Sequence, residues 1–551
     1  MKRRLWKHNS NGTTVEEFTK EKTGKTLEEI EKFTGKSFKR FPEVKKALEE
    51  AKKEDRLVVV VGDYDSDGIN STNILATLLK TLGMKFQLII PKRESEGYGL
   101  SDKIIERIPD NSMLITVDNG ITAVKQMEEA RRRGIYTIIL DHHTAGEVLP
   151  EVDILIDPSA IGEADYTHYC GGGISYRLAE YILGEDHPVM KNLSVNAAIA
   201  TIGDVVELSG DNRKLVKDGM QAMLDGFGTE SIKALLANAR FSADSTANDL
   251  AFNIVPVLNA PERLEDGGAA KVCGAIIKNK NFDEGVEWLL KTNKKRKDLV
   301  ASCVSTLDFD ELRKSPESVI FVKNREIPLG IAGIIAGQLS EKTGKPSFVF
   351  GYDKEGNVKG SARNNVPGVS IIELIRKHED LLLGCGGHPG AAGLSLEEKN
   401  YAEFFNSLSK DFEERIAFLK ETGEFTEFDP EECTKWDIVA SDLNIDVVAK
   451  KVLALEPTGE GNPAPKVKIS SRLVKAIPFG GEKDAPLESK PHIRFNFAGF
   501  NAIGFNMNAW YEEQKKLVNN PRVVELVGTI GTNTYQGNKT IQIRMDDFEI
   551  S

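Results

Sequence analysis

Between residues 57 and 160 one pattern recurs: a short run of apolar, largely β-branched residues, then a helical stretch, and in four of five cases an aspartate closes the run. The runs read RLVVVVGD, KFQLIIPKR, SMLITVDNG, IYTIILDHH and VDILIDPS, with stretches such as TAVKQMEEARRRG between them. Short buried strands alternating with helices build a parallel, doubly wound sheet. In such sheets ligands gather at the carboxyl ends of the strands. Asp63, Asp65, Asp67, Asp118, Asp141 and Asp157 all fall at that edge. The expected fold class is therefore α/β, built around one acidic sheet edge.

The first of these edges, Asp63-Tyr-Asp65-Ser-Asp67-Gly68, has the opening of an EF-hand calcium loop, D-x-D-x-D-G. Two features exclude that loop. Its twelfth position should be a bidentate Glu and is Ile74; its entering element should be a helix and is the β-branched run Val58 to Val61. After Gly68, Ile74, Leu75, Leu78, Leu79 and Leu82 recur at helical spacing and Gly83 supplies a stop. The unit is strand, acidic loop, helix.

Carboxylates crowded within a few ångströms raise one another's pKa and destabilise a fold unless a cation neutralises them. The two imidazoles of DHH join the same edge, and mixed Asp/His ligation favours Mn²⁺ or Mg²⁺ over thiol-seeking zinc. Two such ions about 3.5–4 Å apart clamp the attacking and leaving oxygens of a phosphoryl displacement. Metal-dependent phosphoester hydrolysis is the expected chemistry. A lone Asp after a strand is more often a helix cap, and Asp118 and Asp157 each fit that simpler role. Three acidic motifs behind three strands of one sheet do not reduce to caps.

The net charge of −12 argues against a basic wrapper for DNA, yet leaves room for a local cationic groove. Five cysteines form no metal-binding pair, so a reducing cytoplasm is the expected setting. The start MKRRLWKHNSNG lacks an apolar stretch behind it, and no run approaches about 18 apolar residues, so neither a signal peptide nor a membrane span is expected. Along the chain we expect an N-terminal helical extension (1–54), the parallel-sheet domain (55–215), a helical connector (216–315), a second α/β domain (316–425) and a small β-barrel resembling an OB-fold (426–551).

GDYDSDG, VDNG, DHH and GDVVEL together resemble the four motifs of the DHH phosphoesterase superfamily, and GSARN with GGHPGAAGLSL resembles its DHH-associated domain. The domain order, with PKRESEGYGLS, IVPVLNAPERLED, NKKRKDLV, GIAGIIAGQLSEKTGKP and EPTGEGNPAPKV, resembles the RecJ group of single-strand-specific 5′→3′ DNA exonucleases. The resemblance implies two metal ions, Mn²⁺ or Mg²⁺, held by Asp63, Asp65, Asp67, Asp118, His142 and Asp204, with Asp118 bridging. It implies that Asp141 orients His142 and that His143 faces the scissile phosphate, and it leaves Asp157 as a cap. It makes Ser361, Arg363 and His388 clamps on the strand's backbone, with Arg93 and Arg263 at its 5′ end. NAPER and GSARN depart from the usual family residues beside the arginine, which bears on substrate preference more than on the reaction.

In the terminal region Phe495, Phe497, Phe500, Phe505, Trp510 and Tyr535 stand among Lys466, Lys468, Arg472, Arg494 and Arg544, which suits base stacking beside phosphate-tracking cations, although most of those phenylalanines are expected in the core. KTNKKRK lines a DNA path or is a solvated helix face. The expected whole is a monomeric exonuclease that threads single-stranded DNA between its two α/β domains and releases 5′-mononucleotides, recruited by a single-strand-binding protein or a helicase. Rivals are a phosphodiesterase of short RNA or small nucleotides, a catalytically inactive replication-associated relative, and a haloacid-dehalogenase-type phosphatase, which does not explain DHH.

Overall fold

The computed structural model describes residues 6–9, 14–33, 35, 38–277, 282–425, 434–482, 484–518 and 523–551. The described chain forms two compact units, one of residues 1–259, 269–286 and 431–551, the other of 260–268 and 287–430.

In the first unit the five apolar runs form one sheet in the order Phe86–Ile89, Val58–Val61, Met113–Val117, Tyr136–Leu140, Ile154–Ile156. Every pairing is parallel. Alternation along a strand sends side chains to opposite faces, and here both faces are cores. Val58, Val60, Ile115 and Ile138 enter one apolar cluster, while Val59, Val61, Leu114 and Ile139 enter another. That double burial explains why the runs are continuously apolar rather than alternating. Helices Ser66–Thr81, Gly171–Leu183, Met190–Gly203 and Gly210–Leu224 pack together beside the sheet.

Residues expected as one N-terminal extension are divided between two cores. Helix Phe41–Lys53 lays Phe41, Val44, Ala47, Leu48 and Ala51 on the parallel-sheet core. Helix Val15–Thr23 places Val15 and Phe18 in the core of the C-terminal β-domain, and strand Trp6–His8 pairs with Thr434–Trp436. That β-domain has a seven-stranded mixed sheet with the long hairpin Val523–Tyr535 and Asn538–Ile550 at its centre. Gln536 and Gly537 both take positive φ at its tip, as a tight two-residue hairpin turn requires. The architecture agrees with the expected OB-like module.

The second unit carries a five-stranded sheet ordered Gly384–His388, Ala391–Leu396, Val358–Arg363, Ser347–Tyr352, Ile320–Lys323. Helix Tyr401–Glu421 packs Phe404, Leu408, Phe412 and Ile416 into the core of one face. Helix Leu329–Thr343 presents Ile331, Ile335 and Leu339 to a separate cluster that includes Val349. Cys170, Cys273, Cys303 and Cys385 are unpaired, and Cys433 lies outside the described residues. No described helix is long and apolar enough to cross a membrane.

Candidate metal centre

Asp63 follows the strand Val58–Val61 after Gly62, and Asp65 caps the start of the next helix. One Asp65 oxygen accepts from the N–H groups of Asp67 (2.9 Å) and Gly68 (3.1 Å), an N-cap that leaves its other oxygen free to face inward. Gly68 is required there, because a Cβ would lie 2.5 Å from the Asp63 carbonyl oxygen. Asp67 reaches the N-terminus of helix Gly171–Leu183, where its two oxygens accept from Gly171 N–H and Gly172 N–H at 2.7 Å each. Two backbone donors at a helix N-terminus hold a carboxylate in place and favour its charge.

Asp118 sits at φ +61°, a left-handed conformation that Asp tolerates better than most residues. The turn is supported by its neighbour. Buried Asn119 donates to the carbonyls of Val61 (3.2 Å) and Val117 (2.9 Å) and accepts from Leu100 N–H (3.2 Å), tying two strands to the loop beyond them. His142 Nε2 lies 3.1 Å from Asp118 Oδ1, 3.6 Å from Asp204 Oδ2 and 3.8 Å from Asp67 Oδ2. Asp204 arrives from elsewhere, as the C-cap of helix Met190–Gly203.

Asp141 differs from expectation. Its Oδ1 accepts from the backbone N–H of His142 (2.8 Å) and lies 2.7 Å from the His143 ring nitrogen Nδ1, while Oδ2 accepts from Ile121 N–H (2.9 Å). It therefore orients the ring of His143, not that of His142. An Asp side chain folding back over its own following backbone reaches the residue two positions on, and the intervening ring turns to the carboxylates. Asp157 is the cap it was expected to be, accepting from Ser159 N–H (3.0 Å) and Ala160 N–H (2.9 Å).

Among the described residues, three overlapping groups offer ligand atoms within 4.8 Å of one another: Asp63, Asp65 and Asp118; Asp67, His142 and Asp204; Asp118, His142 and His143. Electrostatics explains why such a cluster needs a cation. Burial, then the charge of Asp65, pushes Asp63 well above the usual carboxylate range; burial, then Asp67, Asp65 and Asp63, does the same to Asp118. Burial and then Asp67 raise Asp204 to about 9. Burial lowers His142, which favours the neutral imidazole a metal requires. Burial opposes charge on His143 as well, yet its hydrogen bond to Asp141 and that carboxylate's charge lift it to about 9.

The donor set fits hard divalent ions. It consists of carboxylate oxygens and imidazole nitrogen, and Asp63 Oδ1 is buried without a hydrogen-bond partner. Buried Cys170 Sγ is engaged by Gly173 N–H (3.4 Å) and Thr201 Oγ1 (3.7 Å) instead. Three participants were not singled out from sequence: Gly171 and Gly172, which seat Asp67, and Tyr98, whose hydroxyl donates to the Asp118 carbonyl (2.8 Å) and lies 3.1 Å from His143 Nε2. The glycine run in CGGG was the sequence signal of the first two, and Tyr98 lies within PKRESEGYGLS. A Cβ at Gly171 would stand 2.7 Å from Asp118 Cβ.

Arg93 stacks 5.7 Å over the ring of Tyr64, beside this edge. The remaining expected residues lie in the second unit. Ser361 and Arg363 alternate with buried Ala362 along one strand, and register pairs Ser361 with Gly393 and Arg363 with Ala391, which in turn pairs with exposed His388. Directly opposed residues share a sheet face, so Ser361, Arg363 and His388 flank a floor of Gly386 and Gly393. A Cβ at Gly386 would meet nothing within 4 Å, so that floor is open. Arg263 Nη1 donates to the Gly330 carbonyl (3.2 Å).

In the β-domain Phe495, Phe497 and Phe500 are core, as expected, while Phe505 and Tyr535 are exposed. Arg544 lies 5.7 Å over Phe505 and Arg494 lies 5.6 Å over Phe479. Lys466 and Lys468 pair instead with Asp546 (2.6 Å) and Glu525 (3.5 Å) across the sheet. In KTNKKRK, Lys294, Lys295 and Lys297 are exposed on helix Phe282–Ser305.

Three family models match this chain: the DHH family N-terminal domain over residues 57–202, the DHHA1 domain over 317–417 and the RecJ OB domain over 436–547. The single-stranded-DNA-specific exonuclease RecJ of Bacillus subtilis (strain 168) is 27% identical over 519 residues, covering 92% of this chain; the chain spans 62% of that relative. A crystal structure of RecJ in complex with Mn²⁺ from Thermus thermophilus superposes with a TM-score of 0.74 and 26% identity, covering 97% of this chain and 75% of that one. A crystal structure of exonuclease RecJ bound to manganese gives 0.59 and 30% identity, covering 68% of this chain and 94% of that one. With these matches running through both α/β domains and the barrel, the chain belongs to the DHH family, in its RecJ group.

Proposed function

We propose that this protein is a metal-dependent exonuclease that hydrolyses single-stranded DNA from its 5′ end to 5′-mononucleotides. One observation carries the proposal: five aspartates and one histidine, brought by four separate stretches of the chain, converge on one sheet edge, with a partnerless buried oxygen on Asp63 among them. Asp63, Asp65, Asp67, Asp118, His142 and Asp204 would hold Mn²⁺ or Mg²⁺. When bound, such ions neutralise the carboxylates and supply Lewis acidity to a phosphodiester.

The chain's own groups do the remaining work. Asp141 accepts a hydrogen bond from His143 Nδ1–H and so fixes the ring that would face the scissile phosphate. Tyr98 fixes the Asp118 carbonyl and the His143 ring from one hydroxyl. Ser361, Arg363 and His388 would bind strand phosphates over the open glycine floor, where a backbone can approach closely. Exposed Phe505, with Arg544 over its ring, suits a stacked base in the β-domain. The name its relatives carry, single-stranded-DNA-specific exonuclease, supports the choice of substrate.

The test is product analysis on single-stranded DNA, duplex DNA and RNA of one sequence with Mn²⁺. Mononucleotides from the single strand alone are expected, and Arg363→Ala should raise KM about tenfold with kcat little changed, the loss of one charged hydrogen bond at about 1.4 kcal/mol per decade. An intact single strand would point to an inactive DNA-binding relative. Faster RNA hydrolysis would point to the oligoribonucleotide alternative.

A further inference from the structure

Asp204 is a candidate ligand followed by irregular backbone with a strained residue in it. Residues 204 to 209 lie in neither helix nor strand, and Val205 takes φ +58°, where a β-branched side chain is strained. Such a conformation persists only if its surroundings impose it. Part of the support comes from the catalytic domain: Asn212 Nδ2 donates to the Glu207 carbonyl (3.1 Å). The Tyr166 hydroxyl donates there too, to the carbonyls of Ser209 (2.9 Å) and Glu207 (3.4 Å), and further support comes from the β-domain. Leu208 N–H donates to the Glu460 carbonyl (2.8 Å), and Gly459 and Gly461 pack against Leu208 and Glu207 so closely that a Cβ at Gly459 would stand 2.8 Å from Leu208 Cδ1. At Gly461, which has φ +65°, a Cβ would collide with Glu207 Cγ.

The turn that does this is itself rigid. Buried Asn462 donates to the carbonyls of Leu455 (2.7 Å) and Pro457 (2.9 Å). From the catalytic domain Arg213, only 2% exposed, donates to the carbonyls of Ala454 (2.6 Å), Pro457 (3.2 Å) and Leu455. Lys25 adds an ion pair to Glu207 and a bond to Ser209 Oγ (3.2 Å). The β-domain is thus anchored within five residues of Asp204, on the loop that carries it.

We propose that the Thr458–Asn462 turn of the β-domain is a positioning device for Asp204: by clamping Glu207 and Leu208 it sets how that carboxylate meets His142 and Asp67. This rests on the metal reading of Asp204 given above. Residues 458 to 462 contact no ligand atom of the cluster, so their effect passes through Asp204.

The test is calorimetric titration of the full chain with Mn²⁺, without DNA, beside a thermal melt. Gly461→Ala is expected to weaken one Mn²⁺ site about tenfold, the usual effect of disturbing a ligand's outer support, in the direction of Asp204→Asn and with the melt retained. Glu207→Ala/Gly461→Ala, which removes the collision with Glu207 Cγ and leaves only the strain of an alanine at φ +65°, should bind more tightly than Gly461→Ala alone. If Gly461→Ala does not fold, Asn462→Ser, which loosens the turn without crowding Glu207, is held to the same tenfold criterion. Mn²⁺ binding by a folded variant within twofold of wild type overturns the inference and leaves the metal site standing. A wild type that binds no Mn²⁺ overturns both.

Discussion

Asp118→Asn is expected to lower DNA degradation about a thousandfold while leaving the fold intact. Asp118 belongs to two of the three ligand groups, so its loss removes charge from both halves of the centre. A few kcal/mol of lost transition-state stabilisation, at about 1.4 kcal/mol per decade of rate, gives that factor. Asn is the right replacement because it accepts the left-handed φ that Asp118 adopts, which Ala does not accept as readily. The same change takes one charge out of a buried repelling set, so the metal-free variant should melt above the metal-free wild type. Steady-state rates beside thermal melts check both halves. A variant that is inactive because it is unfolded would contradict them.

The second large effect is on stability. Asp204 moves from 3.8 unfolded to about 9 folded, and burial with neighbouring carboxylates raises Asp63, Asp65 and Asp118 as well. The folded state then binds these protons more tightly than the unfolded chain, so their contribution is complete below the unfolded value and is lost as pH rises toward the folded one. His143, raised from 6.5 to about 9, acts in the same sense. Asp141, lowered by His143 against burial, acts oppositely only where pH falls below 3.8, and His142, lowered by burial, acts oppositely only below 6.5, one group against the four raised aspartates. Metal-free protein should therefore melt at progressively lower temperature from pH 5 to pH 9. Mn²⁺ at a thousandfold excess over its dissociation constant adds about 4 kcal/mol per site and should flatten the slope. Scanning with chelator and with Mn²⁺ at each pH measures this; parallel slopes would show that the carboxylates are not what the metal neutralises.

What could be read in advance follows the range over which each signal acts. Val58 to Val61 declare a strand buried on both faces, and the aspartate after each run declares its end, because both are local properties of the chain. The strand pattern alone placed Asp118 and the DHH imidazoles at this edge, but Asp204 needed the resemblance, since nothing local distinguishes such an aspartate from a cap. Asp67 is seated by backbone donors 104 and 105 residues away, and an N–H group has no residue type by which to find it. The partner of Asp141 turned on which of two adjacent rings folds back, a matter of side-chain direction that the letters DHH do not carry. The residue types of Lys466 and Lys468 suit phosphate ligands, but the fold pairs their side chains with Asp546 and Glu525. The N-terminal helices were assigned to one extension because helical spacing says nothing about which core a helix joins.

The central claim is that the acidic sheet edge is a metal-dependent nuclease site acting from the 5′ end of a single strand. The most direct measurement follows 5′-labelled and 3′-labelled single-stranded DNA with Mn²⁺, wild type beside Asp118→Asn. The prediction is prompt release of the 5′ label by the wild type, late release of the 3′ label, and almost none of either by the variant. Equal activity in the variant would contradict the site, and earlier release of the 3′ label would contradict the polarity.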